Sequence, residues 1–146
     1  MSAPPTPGRA LGIDLGSRRI GLALSDDRRT VALPHSVLDR AASHADDHRA
    51  IIAAARDAGA TVVVVGLPLS LSGGTGPAAR AVLAEVDELR AAAGAELDVV
   101  VHDERLTTVV AEAALREARM RRDARRRVVD KVAAAVMLQS FLDTAR

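Results

Sequence analysis

The chain has 146 residues, a formal net charge of +1 and no cysteine, which excludes disulfides, thiolate nucleophiles and cysteine zinc sites together. Apolar residues make up 49% but aromatics only 1%, so the core must be Ala, Val, Leu and Ile, and base stacking on an aromatic platform is nearly excluded. The length suits one domain, no apolar run approaches a membrane span, and no charged-then-apolar leader opens the chain, so a cytoplasmic protein is expected.

Residues 1–9 are Pro-rich and aperiodic, and are expected to form a disordered lead-in to a single domain over 10–146. From Leu11 to Asp26 the chain reads as two extended runs broken at Gly16-Ser17. Leu11, Ile13 and Leu15 alternate with Gly12 and Asp14, and Ile20, Leu22 and Leu24 alternate with Gly21, Ala23 and Ser25. Thr30 to Asp39 suits a third strand, with Pro34 placing it at an edge or a bulge. Ala42 to Ala58 has helical apolar spacing and a stop at Gly59. Thr61 to Gly66 is a β-branched run typical of a central parallel strand, and a glycine-rich loop, Leu67 to Gly76, follows it. A helix over Pro77 to Ala93, stopped by Gly94, leads to a fifth strand at Leu97 to His102 and then to Asp-Glu-Arg-Leu-Thr-Thr. The remainder is helical, split at the Arg-rich stretch around Met120 to Arg127. Three strands followed by alternating helices and strands predict a mixed α/β sheet, antiparallel at first and then parallel, with helices on both faces. Ligands in such sheets gather at the carboxyl ends of the parallel strands.

Three acidic positions stand out. Asp14 interrupts a strand on a face otherwise made of small residues, where it is either a satisfied structural acid or part of a ligand site walled by Gly12, Gly16 and Gly21. Asp103 and Glu104 follow the fifth strand. Asp130 heads an apolar helical stripe of Ala133, Ala134, Met137, Leu138, Phe141 and Leu142, and a first-turn Asp favoured by the helix dipole would also explain it. Converging carboxylates need a cation, and all-oxygen ligands without Cys or clustered His point to Mg2+ or Mn2+. Paired ions of this kind serve phosphodiester cleavage.

The stretches GIDLGSRRIGLALSD, VVVGLPLSLSGGTGPAA, DERLTT and DKVAAAVMLQSFL, in this order and spacing, resemble the YqgF (RuvX) family of small bacterial proteins. The resemblance covers residues 10–143. It implies an RNase H-like fold and a nuclease that matures the 5′ end of pre-16S rRNA, with resolution of Holliday junctions, a branched DNA, as the alternative activity. Carried over by position, Asp14, Glu104 and Asp130 are the catalytic acids and metal ligands, with Asp103 a substitute for Glu104. The loop from Gly66 to Gly76, including Gly73 and Gly74, would line the site.

Other features keep two readings. Gly73-Gly74-Thr75-Gly76 suits a phosphate cradle or a plain loop, and no Walker lysine follows it. Arg105 either neutralises the acids or holds phosphate, and His102 is a substrate contact or a satisfied strand-end histidine. The run containing Arg121, Arg122 and Arg125 is a solvated face or a phosphate-backbone contact. The opening motif also resembles the phosphate loop of sugar kinases and Hsp70-like ATPases, which clamp nucleotide between two such units where this chain supplies one. A catalytically silent nucleic-acid-binding module is the third reading. The chain is expected to be a monomer or a homodimer. Close like charges at the acids predict that Asp130→Asn stabilises the metal-free protein.

Overall fold

The computed structural model describes residues 8–68, 76–104 and 122–144, with the backbone alone at residue 104 and residues 122–126. Along the chain run β1 (Arg9–Leu15), β2 (Arg19–Ser25), β3 (Ala32–Asp39), α1 (His44–Ala58), β4 (Ala60–Pro68), α2 (Pro77–Ala93), β5 (Asp98–Glu104) and α3 (Arg122–Thr144). The strands form one sheet in the order β3-β2-β1-β4-β5. Pairing is antiparallel between β1 and β2 and between β2 and β3, and parallel from β1 to β4 to β5. This is the mixed sheet that the order of elements predicts. β3 lies at the edge, and its register slips so that Leu22 pairs with Ser36 while Ala23 pairs with Pro34. His35 is the extra residue of that bulge, so Pro34 occupies both an edge and an irregularity, where its missing N–H costs least.

Strand alternation sorts the side chains onto two faces. Leu11, Ile13, Ile20, Leu22, Val63 and Val65 are buried under α1 and α2, against Ile51, Ala55, Val86 and Leu89. Each such side chain, fully buried, contributes roughly 1.5–3 kcal/mol. On the other face Ala10, Ala23, Val62 and Val64 meet Ala134, Met137, Leu138 and Leu142 of α3. Small residues dominate this second face because α3 lies close to the sheet. A Cβ on Gly12 would sit 2.8 Å from the Leu138 Cβ. Gln139 fastens the helix to the sheet edge, accepting from Ala32 N at 2.8 Å and donating to the Thr30 carbonyl at 3.0 Å.

The helix ends follow local chemistry. The Ser43 side chain accepts from Asp46 N at 3.2 Å and starts α1, and Gly59 closes it with a left-handed φ of 72°. Pro77 occupies the first turn of α2. Several boundaries differ from the sequence expectation, with β1 starting earlier at Arg9 and β3 and α1 later at Ala32 and His44, and three further shifts bear on the site. β4 continues past Gly66 through Leu67 to Pro68, and β5 continues through Asp103 to Glu104, because the two strands keep pairing in register as far as Pro68 and Glu104. α3 already includes Arg122 to Arg127, so this part of the Arg-rich stretch is helix and Asp130 lies more than two turns inside it. Its dipole reading as a first-turn acid is therefore removed.

Candidate active site

Asp14 is the next-to-last residue of β1 and is half-buried on the α3 face. Its register partner across the hairpin is Gly21. That glycine is there for space. A Cβ built on it would fall onto the backbone carbonyl of Asp130, so only glycine lets this turn of α3 rest on β2. The Asp14–Gly21 pair and the Asp130 backbone are thus stacked. Two acids 116 residues apart in sequence, positions 14 and 130, are brought to one end of the sheet on one face.

The extension of β5 bears on the third acid. Val99 and Val101 pack into the core under α1 and α2, and Asp103 shares their strand parity. Val100 packs toward α3, and His102 bonds Ser140 of α3, so that parity belongs to the α3 face. Glu104 shares it. The backbone therefore sets Glu104, and not Asp103, on the face of Asp14 and Asp130, at the carboxyl end of the sheet. Asp103 is exposed. His102 is satisfied: its Nε2 lies 3.0 Å from Ser140 Oγ and its ring meets Phe141 edge-on at 5.7 Å.

Arg19, which sequence reasoning left in the turn, is part of this centre. It opens β2 two residues before Gly21, and its Nε donates to Asp130 Oδ2 at 2.7 Å. The pair is part-buried, with side chains 21% and 27% exposed. Asp130 therefore does not face uncompensated like charge in this structure, and the expected stabilisation by Asp130→Asn loses its basis. Next to it, Arg127 Nη2 donates to both oxygens of Asp39 at 2.8 Å.

Gly66 is buried within β4, paired with His102. Gly73, Gly74, Arg105 and Arg121 lie outside the described residues. Arg122 and Arg125 belong to the part of α3 that precedes Asp130. Among the described residues no group of three His, Cys, Asp or Glu is arranged to hold a metal ion, and the Glu104 side chain lies outside that description. The donor chemistry nonetheless fits a hard cation. The acids offer carboxylate oxygens, and Asp130 already holds a cationic group, the Arg19 guanidinium.

A second charged cluster lies under the same hairpin, on the opposite face. Arg40 donates to Glu85 from Nη1 at 2.6 Å and Nη2 at 2.9 Å, to Asp47 from Nη1 at 3.1 Å, and from Nε to the Gly16 carbonyl at 2.9 Å. Asp47 also accepts from Ala41 N at 2.7 Å, and His48 Nε2 lies 2.9 Å from Glu85 Oε2. Burial pushes the Glu85 carboxyl up, but the hydrogen bonds from Arg40 and His48 outweigh it and hold the group below the usual range. The Arg40 guanidinium is raised, first by its hydrogen bond to Glu85. The cluster borders an open cavity of about 520 Å3 lined by Leu15, Gly16, Pro68 and Val82 among others. With its charges bonded to one another, it ties the hairpin turn to α1 and α2.

A five-stranded sheet in this order, with acids at the end of the central strand and on the helix across it, is the RNase H-like architecture. Residues 8–144 match the family model RuvX, described as Holliday junction resolvase, and the chain belongs to that family. A protein of Roseiflexus sp. named "Putative pre-16S rRNA nuclease" is 42% identical over 140 residues, covering 96% of this chain and 97% of its own length. One of the same name from Nocardioides sp. is 47% identical over 141 residues, covering 95% and 90%. Among solved structures, Thermus thermophilus RuvC aligns with a TM-score of 0.55 at 13% identity over 94% of this chain and 95% of its own. RuvC of the same organism in complex with Holliday junction substrate gives 0.52 at 17%, covering 94% of each chain. At these identities the likeness concerns the fold.

Proposed function

We propose that this protein is a divalent-metal-dependent nuclease that trims the 5′ end of pre-16S rRNA in the cytoplasm, with Asp14, Glu104 and Asp130 as its catalytic acids. The observation that carries this reading is the stacking of the Asp130 backbone on Gly21, the register partner of Asp14. It brings together two acids from opposite ends of the chain. The names of the relatives supply the substrate class. The parity of β5 favours Glu104 over Asp103 as the third acid.

Asp14, Glu104 and Asp130 would hold Mg2+ or Mn2+, which offsets carboxylate repulsion and supplies Lewis-acid stabilisation to the scissile phosphodiester. The protein's own part is placement. Gly21 sets the distance between helix and hairpin, and Gln139 fixes the helix along the sheet. Arg121, Arg122 and Arg125, in and before the first part of α3, supply positive charge for phosphates flanking the cleavage point. Among the described residues no helix is long and apolar enough to cross a membrane.

Cleavage of a precursor RNA spanning the 16S 5′ boundary tests the proposal. Wild type cleaves with Mg2+ and stops in excess EDTA, and Asp14→Asn, which keeps shape but not charge, loses activity by orders of magnitude while remaining folded. Full activity in that variant or in EDTA sinks the mechanism. A second reading, resolution of four-way DNA junctions, is favoured by the description of the family model. Paired nicks on a synthetic junction, dependent on the same acids and faster than RNA cleavage, would establish it instead.

A further inference from the structure

We propose that Arg19 is a built-in counter-ion which a divalent cation displaces from Asp130, and that the freed guanidinium then grips a substrate phosphate. This rests on the reading of Asp14, Glu104 and Asp130 as metal ligands. The Arg19–Asp130 bond is short, 2.7 Å, but single-pronged through Nε and part-exposed, the kind of pair that solvent and a stronger cation can replace. Arg40, by contrast, is held by four hydrogen bonds to two buried carboxylates and a backbone carbonyl.

Position supports exchange. Arg19 lies on the α3 face of β2, two residues from Gly21, so its guanidinium neutralises the helix acid where the Asp130 backbone rests on Gly21, the register partner of Asp14. A cation bound to Asp130 competes for the oxygen that Arg19 uses and repels the guanidinium as a like charge. The acid directly across the sheet from Arg19 is Asp39, its register partner in β3, and Arg127 already occupies both Asp39 oxygens. A displaced Arg19 is thereby turned away from the neighbouring acid and toward incoming phosphate, which suits a planar guanidinium with a free edge. One residue so carries out two tasks in sequence. It keeps the acids from repelling each other before metal arrives, and it adds a substrate contact only once metal is in place.

Calorimetric titration of Mn2+ into metal-free wild type, Arg19→Gln and Asp14→Asn tests this without any turnover. Arg19→Gln is expected to bind Mn2+ roughly fivefold tighter, the worth of one part-exposed ion pair, while Asp14→Asn binds weakly or not at all. Equal or weaker Mn2+ binding in Arg19→Gln, with normal wild-type binding, overturns the counter-ion role alone. Absent binding in wild type, or undiminished binding in Asp14→Asn, overturns the metal-ligand reading and this proposal with it. A measurement on wild type avoids dependence on the variant's folding. The Arg19 Nε–H resonance, assigned by its loss in Arg19→Lys, should shift and exchange faster with solvent when Mg2+ is added. A resonance unmoved at saturating Mg2+ contradicts displacement.

Discussion

Two charged centres flank the hairpin between β1 and β2, one on each face of the sheet, and they are built on opposite principles. Under α1 and α2, Arg40 makes four hydrogen bonds, to Glu85, Asp47 and the Gly16 carbonyl, and the Asp47 and Glu85 side chains are only 3% and 6% exposed. Under α3, Asp130 is 27% exposed and held by a single bond from Arg19. A buried network whose charges are bonded to one another fixes one geometry. An acid that is part-open and held by one bond can change partners. The first centre anchors the turn after Asp14, and the second presents Asp14 and Asp130 at its surface.

Breaking the Arg40 centre should produce the largest change in stability. Arg40→Met leaves Glu85 and Asp47 as buried carboxylates without their guanidinium, Glu85 keeping His48 and Asp47 keeping the Ala41 amide. Loss of one partner from such a buried pair costs about 3–5 kcal/mol. Thermal unfolding should then fall by roughly 10 °C, at the two to four degrees per kcal/mol typical of chains of this size. A melt within a degree or two of wild type would show that the cluster is not an anchor.

Gly21→Ala attacks the junction between the centres and the sheet. The new Cβ collides with the backbone of Asp130, which cannot yield as a flexible side chain would. A cost of about 1–3 kcal/mol is expected for this overpacking, together with loss of cleavage as Asp130 is moved away from Asp14. A variant as active and stable as wild type would separate Asp130 from the site.

Acid sharpens the contrast further. Glu85 titrates below its ordinary value of 4.5 in the folded chain, so it binds protons more readily when unfolded. Its stabilising contribution is complete above pH 4.5 and is lost as pH falls through the lower folded value. Asp26, held down by its hydrogen bonds from Thr30 and Val31, acts in the same direction. Melting temperature should therefore decline below about pH 4.5, and the decline should be shallower in Glu85→Gln. An equal decline in that variant would assign acid sensitivity elsewhere.

The smallest effect concerns nucleic-acid affinity. Replacing Arg121, Arg122 and Arg125 with Gln should weaken binding to all sequences alike. The slope of log affinity against log salt should fall by roughly 0.7–0.9 for each phosphate no longer neutralised. An unchanged slope would return the stretch to a solvated face.

Much of this fold is legible in the sequence because its signals are local. Period-two alternation marks β1 and β2, the β-branched run marks β4, and Gly59, Pro77 and Gly94 punctuate the helices where turn chemistry requires. The boundaries that shift at Leu67-Pro68 and at Asp103-Glu104 are set by pairing between β4 and β5, which is not a local property. Asp14 and Asp130 are legible as polar residues on apolar faces. That criterion applies equally to Asp47 on the Ile51 and Ala55 face of α1 and to Glu85 beside Val82, Val86 and Leu89 on α2. Both of those acids are structural. What sets Asp47 and Glu85 apart is deep burial in a network closed around Arg40, forty-five residues from Glu85, and that network exists only once the chain folds. Arg19 escapes sequence reasoning for the same reason, since its acid lies 111 residues away.

The division into an anchored and an exchangeable centre is tested most directly by the metal-induced rise in melting temperature of wild type, Asp14→Asn and Glu85→Gln. Mn2+ should raise the melt of wild type and of Glu85→Gln by similar increments, because binding to the folded state alone adds stability. Asp14→Asn should show no increment. A rise that persists in Asp14→Asn, or that vanishes in Glu85→Gln while that protein remains folded, would contradict the assignment of the α3 face as the metal-binding centre.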